Sequence, residues 1–323
     1  MRRIVAAFAV PLIAAAVLAG CGSSSPSSAT GSGTNSAVTV SGSFGKAPDV
    51  KIPTAKAGSN LVVKTAIKGT GTALPQGDDV LANLAIYVWS GKTHKLLDST
   101  FTSTPEVLPA SLGLTGLEKA VKGQKMGTRV LAVLPPKYGY GKDGNSEIGV
   151  TGSDTTVWVL DLIKAFSPTE SASGTHVSSG GGSLPTVTAT AAGQAPTVKI
   201  PSSTPPSGLK VTTLIKGSGP KLTTGQTVVA QYVAMIWRTK KIFSSTWPAS
   251  GSTGAPFAFE LGGQVIPGWN KGLVGIPVGS RVMLVIPPAE GYGKSGNSEA
   301  GIKGTDTLVF VIDVLAALPH SAS

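Results

Sequence analysis

Cysteine, histidine and charge are all scarce in this chain. A single cysteine, Cys21, stands among 323 residues, so no intrachain disulfide can form and folding rests on hydrophobic cores. The three histidines, His94, His176 and His320, read as lying in a loop, a Ser/Gly-rich stretch and the C-terminal tail. That scatter excludes a histidine-based triad or metal centre, and no cofactor or metal is expected. H-E-x-x-H, a G-x-S-x-G elbow and paired-carboxylate clusters are also missing, which removes the common hydrolase classes. Charged residues make up only 13% of the chain. The formal net charge of +11 is carried by scattered single lysines without a basic run, so nucleic acid is not an expected partner. Helical periodicity is rare.

What is present begins with a leader. Met1-Arg2-Arg3 is a short basic segment, followed by the small-residue apolar run "IVAAFAVPLIAAAVLA" and then Leu18-Ala19-Gly20-Cys21. This end resembles the lipobox of bacterial lipoprotein signals. The resemblance implies removal of residues 1–20, acylation of Cys21 and a lipid anchor on the extracytoplasmic face of the cell membrane. The alternative is an ordinary secretory peptide.

Two Ser/Gly/Thr-rich stretches follow, at 21–37 and 168–185, and their composition predicts a flexible tether and a flexible linker. After each the chain restarts. "GKAPDVKIP" (45–53) returns as "GQAPTVKIP" (193–201), "LVVKTAIKGTG" (61–71) as "LKVTTLIKGSG" (209–219), and "GTRVLAVLPPKYGYGKDGNSE" (127–147) as "GSRVMLVIPPAEGYGKSGNSE" (279–299). A period of about 150 residues is a tandem of whole domains, here 38–167 and 186–323. Short Val/Ile/Thr/Tyr runs bounded by Gly and Pro predict strands at 209–215, 227–237, 256–261, 281–286 and 307–316. "PGWNKGLVG" (267–275), with Pro267 in its first turn, predicts one short helix. Each copy is therefore α+β, an antiparallel sheet on a single short α-helix.

The repeated loops look at first like phosphate cradles, since Gly291-Tyr292-Gly293-Lys294-Ser295-Gly296 satisfies G-x-G-x-x-G. The required context is absent. Pro287-Pro288 separates the loop from the preceding strand, and a β-branched strand follows it where a helix should open. Position 288, where a P-loop needs glycine, is proline. The loops need another purpose.

The second copy supplies one. "QYVAMIWRTKKIFSSTW", "PFAFELGGQVIPGWNKGLVGIPVGSRVMLVIPP", "GYG" and "TLVFVIDVL" together resemble the FKBP-type peptidyl-prolyl isomerases from about residue 209 to 318. The resemblance implies two FKBP-like domains and a proline pocket in the second. Tyr232, Phe243, Phe257 and Phe310 would be its aromatic walls, and Val265 and Ile266 one lip, with the Ile266 N–H free to donate. Trp269 would be the floor, Tyr292 an overhanging hydroxyl donor and Ile302 a closing apolar contact. The family's F-D-S-S-W reads Phe243-Ser244-Ser245-Thr246-Trp247, so Ser244 stands in place of an aspartate.

The first copy aligns over 61–166 but has Leu84, Leu97, Glu106, Gly113, Leu114 and Leu117 at the wall, lip and floor positions, while keeping Asp98, Tyr140, Val150 and Trp158. The resemblance thus implies a prolyl isomerase active through its second domain. Its partners would be proline-containing segments of exported polypeptides, with rapamycin-type macrolides as ligands. A non-catalytic prolyl-peptide-binding or chaperone lipoprotein of the cell envelope is the alternative.

Overall fold

The computed structural model describes residues 34–188, 193–248, 254–263 and 265–319. The leader and Cys21 lie outside the described residues. The molecule is α+β, with two units that repeat one topology.

The first unit opens with a hairpin of β1 (Thr39–Ser41) and β2 (Asp49–Lys51). Its sheet contains β3 (Val62–Ile67), β4 (Asp79–Ser90), β5 (Thr93–Ser99), β6 (Glu106–Leu108), β7 (Arg129–Leu134) and β8 (Thr155–Phe166), with α1 (Thr115–Val121) on one face. The strand order is β3-β7-β8-β4-β5, all antiparallel, and β6 pairs with the start of β4.

After β9 (Thr175–His176) the pattern repeats. A hairpin of β10 (Thr186–Thr188) and β11 (Thr197–Lys199) is followed by β12 (Lys210–Lys216), β13 (Thr227–Ile236), β14 (Lys241–Ser245) and β15 (Phe257–Glu260). α2 (Pro267–Leu273), β16 (Arg281–Ile286) and β17 (Leu308–Leu318) complete the unit. Pro267 starts α2 where a missing N–H costs nothing, as its sequence predicts.

Both faces of each sheet are covered. The helix side holds one core, which in the second unit includes Leu273, Leu284, Ile286 and Ile312. α2 lies close on β16 because it carries glycine at the contact: a Cβ on Gly268 would stand 2.6 Å from Cγ2 of Ile286. The opposite face packs under the hairpin, where Val187, Val198 and Ile200 meet Met283, Val285 and Val311. The first unit repeats this with Val38, Val50 and Ile52 on Leu131, Val133 and Val159.

A buried arginine–aspartate pair fastens each sheet. Arg281 Nε and Nη2 donate to Asp313 at 2.6 and 2.7 Å. Arg129 pairs likewise with Asp161 and also donates to the carbonyls of Ser41, Gly42, Ser43 and Lys46, closing the hairpin tip onto the sheet.

The linker expectation needs correction. Residues 168–185 do not form a free tether: β9 pairs with β12, opposing His176 to Ile215 and Thr175 to Lys216. The Ala172 N–H donates to Asp313 at 2.9 Å, and Gln231 Nε2 donates to the Pro168 carbonyl at 2.8 Å. Ser, Gly and Thr bury little side chain, but their backbone pairs as well as any other. The tether at 21–37 is corrected at its end, where Thr34–Ala37 form a 3₁₀ turn and buried Asn35 bonds to Gly58 and Asn60. His94 lies in β5 rather than in a loop.

Candidate functional site

β13 loses its continuous partner halfway along one edge. Its first residues, Thr227 to Ala230, pair with β15, and Val233 to Ile236 pair with β14. Tyr232 sits where the two partners part. Its backbone is held there by Thr246, whose hydroxyl accepts from the Tyr232 N–H at 2.7 Å. The opening made by the split is the mouth of a cavity of about 670 Å³.

Tyr232, Phe243, Phe257 and Phe310 wall the cavity, Val265 and Ile266 form part of its rim, and Trp269, Ser244 and Tyr292 also line it. Nine of the residues singled out in the sequence therefore meet in one place. Trp269, on the first turn of α2 and 4% exposed, is the hub. Its ring lies edge-on to Phe259 at 5.0 Å, Phe310 at 5.3 Å and Tyr232 at 5.5 Å. Such edge contacts fix the ring planes and keep the floor rigid. The indole Nε1 is buried without a hydrogen-bond partner. The Ile266 N–H has no acceptor among the described residues, whereas its carbonyl starts the helix by accepting from Trp269 N.

Ser244 faces the cavity. Its hydroxyl and that of Tyr232 lie 2.9 Å apart, so the position that departs from the family motif still holds the wall tyrosine. Burial raises the Tyr232 phenol above its usual pKa, partly offset by the Ser244 bond. The Tyr292 phenol is also raised by burial, although the residue is 37% exposed above the mouth. Both hydroxyls remain protonated donors at neutral pH.

The loop bearing Tyr292 turns through Gly293 and Gly296, both with φ of 62°. A side chain at Gly296 would collide with the Ile302 carbonyl at 2.3 Å. It runs through short 3₁₀ turns into β17 and opens no helix, as the phosphate-loop argument required.

Ile302 is 4% exposed and packs in the helix-side core that also holds Trp269 and Phe310. Its backbone closes the loop on Asn297, with both bonds at 2.8 Å. From the same loop Asn297, Glu299 and Ala300 also line the cavity, and the motif did not point to them.

The first unit keeps the frame and fills the space. Thr100 holds Leu84 as Thr246 holds Tyr232, with both bonds at 2.9 Å. Leu84, Leu114, Leu117 and Trp158 close into one buried core, with Tyr140 packed against it. Burial pushes the Tyr140 phenol up to about 12. Asp98 accepts from the Ser99 N–H. Glu106, at the place of Phe257, has its carboxyl raised by burial and by the charge of Asp98.

A profile described as FKBP-type peptidyl-prolyl cis-trans isomerase matches residues 219–315, which lie within the second unit. The FK506-binding protein of Streptomyces anulatus is 40% identical over 98 residues, 30% of this chain and 76% of that protein. The FKBP-type peptidyl-prolyl cis-trans isomerase FkpA of Escherichia coli K12 is 40% identical over 93 residues, 29% of this chain and 32% of FkpA. The solved structure of AtFKBP13 is 33% identical, covering 35% of this chain and 96% of that one, with a TM-score of 0.31. The chain belongs to the FKBP-type peptidyl-prolyl cis-trans isomerases and is an enzyme of that class.

Proposed function

We propose that the second unit carries the isomerase activity and that the protein assists the folding of exported polypeptides at the outer face of the cell membrane, held by lipid on Cys21. The first unit is then an FKBP-like domain in tandem whose own pocket has closed. The observation that carries the assignment of activity is the Tyr232–Ser244 pair standing over the Trp269 floor inside the second unit's cavity.

Rotation about an X–Pro bond is slow because amide resonance must be broken, a barrier of about 18–20 kcal/mol, which gives relaxation in roughly 10–100 s. The cavity lowers that barrier without acid, base or covalent chemistry. A proline ring seated on Trp269 and between Phe257 and Phe310 leaves water. The charge-separated planar amide loses solvation there, and the twisted amide loses less. The Ile266 N–H and the Tyr292 hydroxyl then donate to carbonyl oxygens as the twist develops, which stabilises the transition state over the ground state.

The test is a protease-coupled proline-isomer assay on residues 168–323 and residues 38–167. The first fragment begins at 168 so that β9 and the Ala172 bond to Asp313 are kept. Rate in residues 168–323 alone is expected; equal rate in both fragments, or rate only in residues 38–167, overturns the assignment. Cys21→Ser should abolish partitioning into the detergent phase, and unchanged partitioning overturns the lipid anchor. Ser244 in place of an aspartate favours a second reading, a prolyl-segment-binding module with little turnover. Peptide binding without acceleration by residues 168–323 would establish it.

A further inference from the structure

The outer face of each sheet is only partly covered by its hairpin. The rest is covered by the other unit, through one buried cluster of Leu81, Phe166, Val229, Leu315 and Ala316, with Val107, Ile163, Ala258 and Leu318 packed at its border.

These residues are the same positions taken twice. Leu81 opposes Val107 in the first sheet, and Val229 opposes Ala258 in the second. Asp79 pairs with Phe166 as Thr227 pairs with Leu318. β4 and β13 carry a register shift at the same step, after Leu81 and after Val229. β6 also lies alongside β15, its own counterpart. An interface built from equivalent positions of two like units has the self-complementary form of a twofold dimer.

We infer that the first unit is a built-in twofold partner of the second, and that the face it covers pairs the second unit with a second copy of this chain once the first unit's face is spoiled. One position breaks the symmetry and gives the pairing a direction. Lys164 opposes Leu81, whereas its counterpart Ala316 opposes Val229. At this position two second-unit faces bring an alanine from each side, while two first-unit faces would bring a lysine from each side. The face is the reverse of the pocket strand: Phe257 lines the cavity and Ala258, its neighbour, meets the first unit. Association through it leaves the pocket mouth open, so the inference does not rest on the isomerase reading.

Residues 22–323, which keep both units, provide the test by sedimentation at rising concentration. The unaltered chain should stay monomeric. Leu81→Asp should double its mass as concentration rises, and adding Val229→Asp to the same chain should return it to monomer. Val229→Asp alone should remain monomeric, because the freed first-unit face carries Lys164. Should Leu81→Asp unfold the first unit, Val107→Asp, at a half-buried border position, carries the same test. A folded Leu81→Asp or Val107→Asp chain that stays monomeric overturns the inference, as does a dimer that survives addition of Val229→Asp.

Discussion

Leu84 and Tyr232 occupy one place in two copies of the same backbone, each held by a threonine across a break in the sheet edge. Around Tyr232 the neighbours are rings set edge to face or tilted, and a cavity remains between them. Around Leu84 the neighbours are leucines and Trp158, and the space is core. The two tyrosines of the repeated Gly-Tyr-Gly loop divide the same way. Tyr292 overhangs an opening; Tyr140 has been drawn against the core and its phenol pushed up to about 12. A pocket is thus a property of a few large, stiff side chains that cannot collapse onto one another, and the frame survives without it. Flexible aliphatics close such a space, because dispersion and burial both favour filling it.

The largest expected effect tests the frame common to both units. Arg281→Met leaves Asp313 buried without its partner and should cost about 3–5 kcal/mol in denaturant unfolding. Arg129→Met should cost at least as much, since four hairpin carbonyls lose their donor as well. A smaller loss at Arg129 would mean that its hairpin contacts contribute nothing.

Trp269→Leu next copies the first unit's floor into the second. With a cooperative melt retained, kcat/KM for a prolyl peptide should fall by roughly 100-fold, the scale of a lost positioning surface. Near-normal turnover would show that the floor is dispensable.

Asp79→Thr copies in the opposite direction, bringing the residue of Thr227 into the first unit. Burial holds the Asp79 carboxyl at about 6, against the lowering effect of the Ala110 N–H. Because the folded value lies above the unfolded one, this group opposes folding most above pH 6, and the opposition fades as pH falls toward 4. Asp79→Thr should therefore stabilise the first unit by about 1–3 kcal/mol at pH 7.5 and by nothing measurable below pH 4. A gain independent of pH would assign the effect to packing.

The smallest change concerns Ser244. Ser244→Asp gives the second unit the carboxylate that the first retains as Asp98, and should tighten a rapamycin-type macrolide by roughly tenfold, the difference between a charged and a neutral acceptor. The gain should disappear in a Tyr232→Phe background, since Tyr232 is the donor within reach. Titration calorimetry of the single and double variants decides it.

Much of this was legible. Five strands of the second unit and the helix at Pro267 fall within a residue or two of where turn residues and β-branched runs place them, while β10, β11 and β14 were not anticipated, and nine motif residues gather at one cavity. Other features were harder to read. Ser/Gly/Thr composition between the units signals little side-chain burial but says nothing of backbone pairing, so β9 was missed. Asn297, Glu299 and Ala300 were not anticipated at the cavity, because a loop motif fixes backbone position before side-chain orientation. The covering of both sheet faces had a signal in "RVLAVL" and "RVMLVI", which are buried at every residue. Unbroken apolar strands are the mark of a sheet with two covered faces, where a half-exposed sheet alternates.

β9 is only two residues long and pairs with the end of β12, at Ile215 and Lys216. In the folding role proposed for this protein it would meet extended backbone, and an open strand edge is a template on which such backbone adds by main-chain pairing. The short strand takes up the end of that edge, from Leu214 to Lys216. In that role the segment between the units would shield the end of this edge from extended substrates, while the aromatic cavity offers them a surface built for a proline.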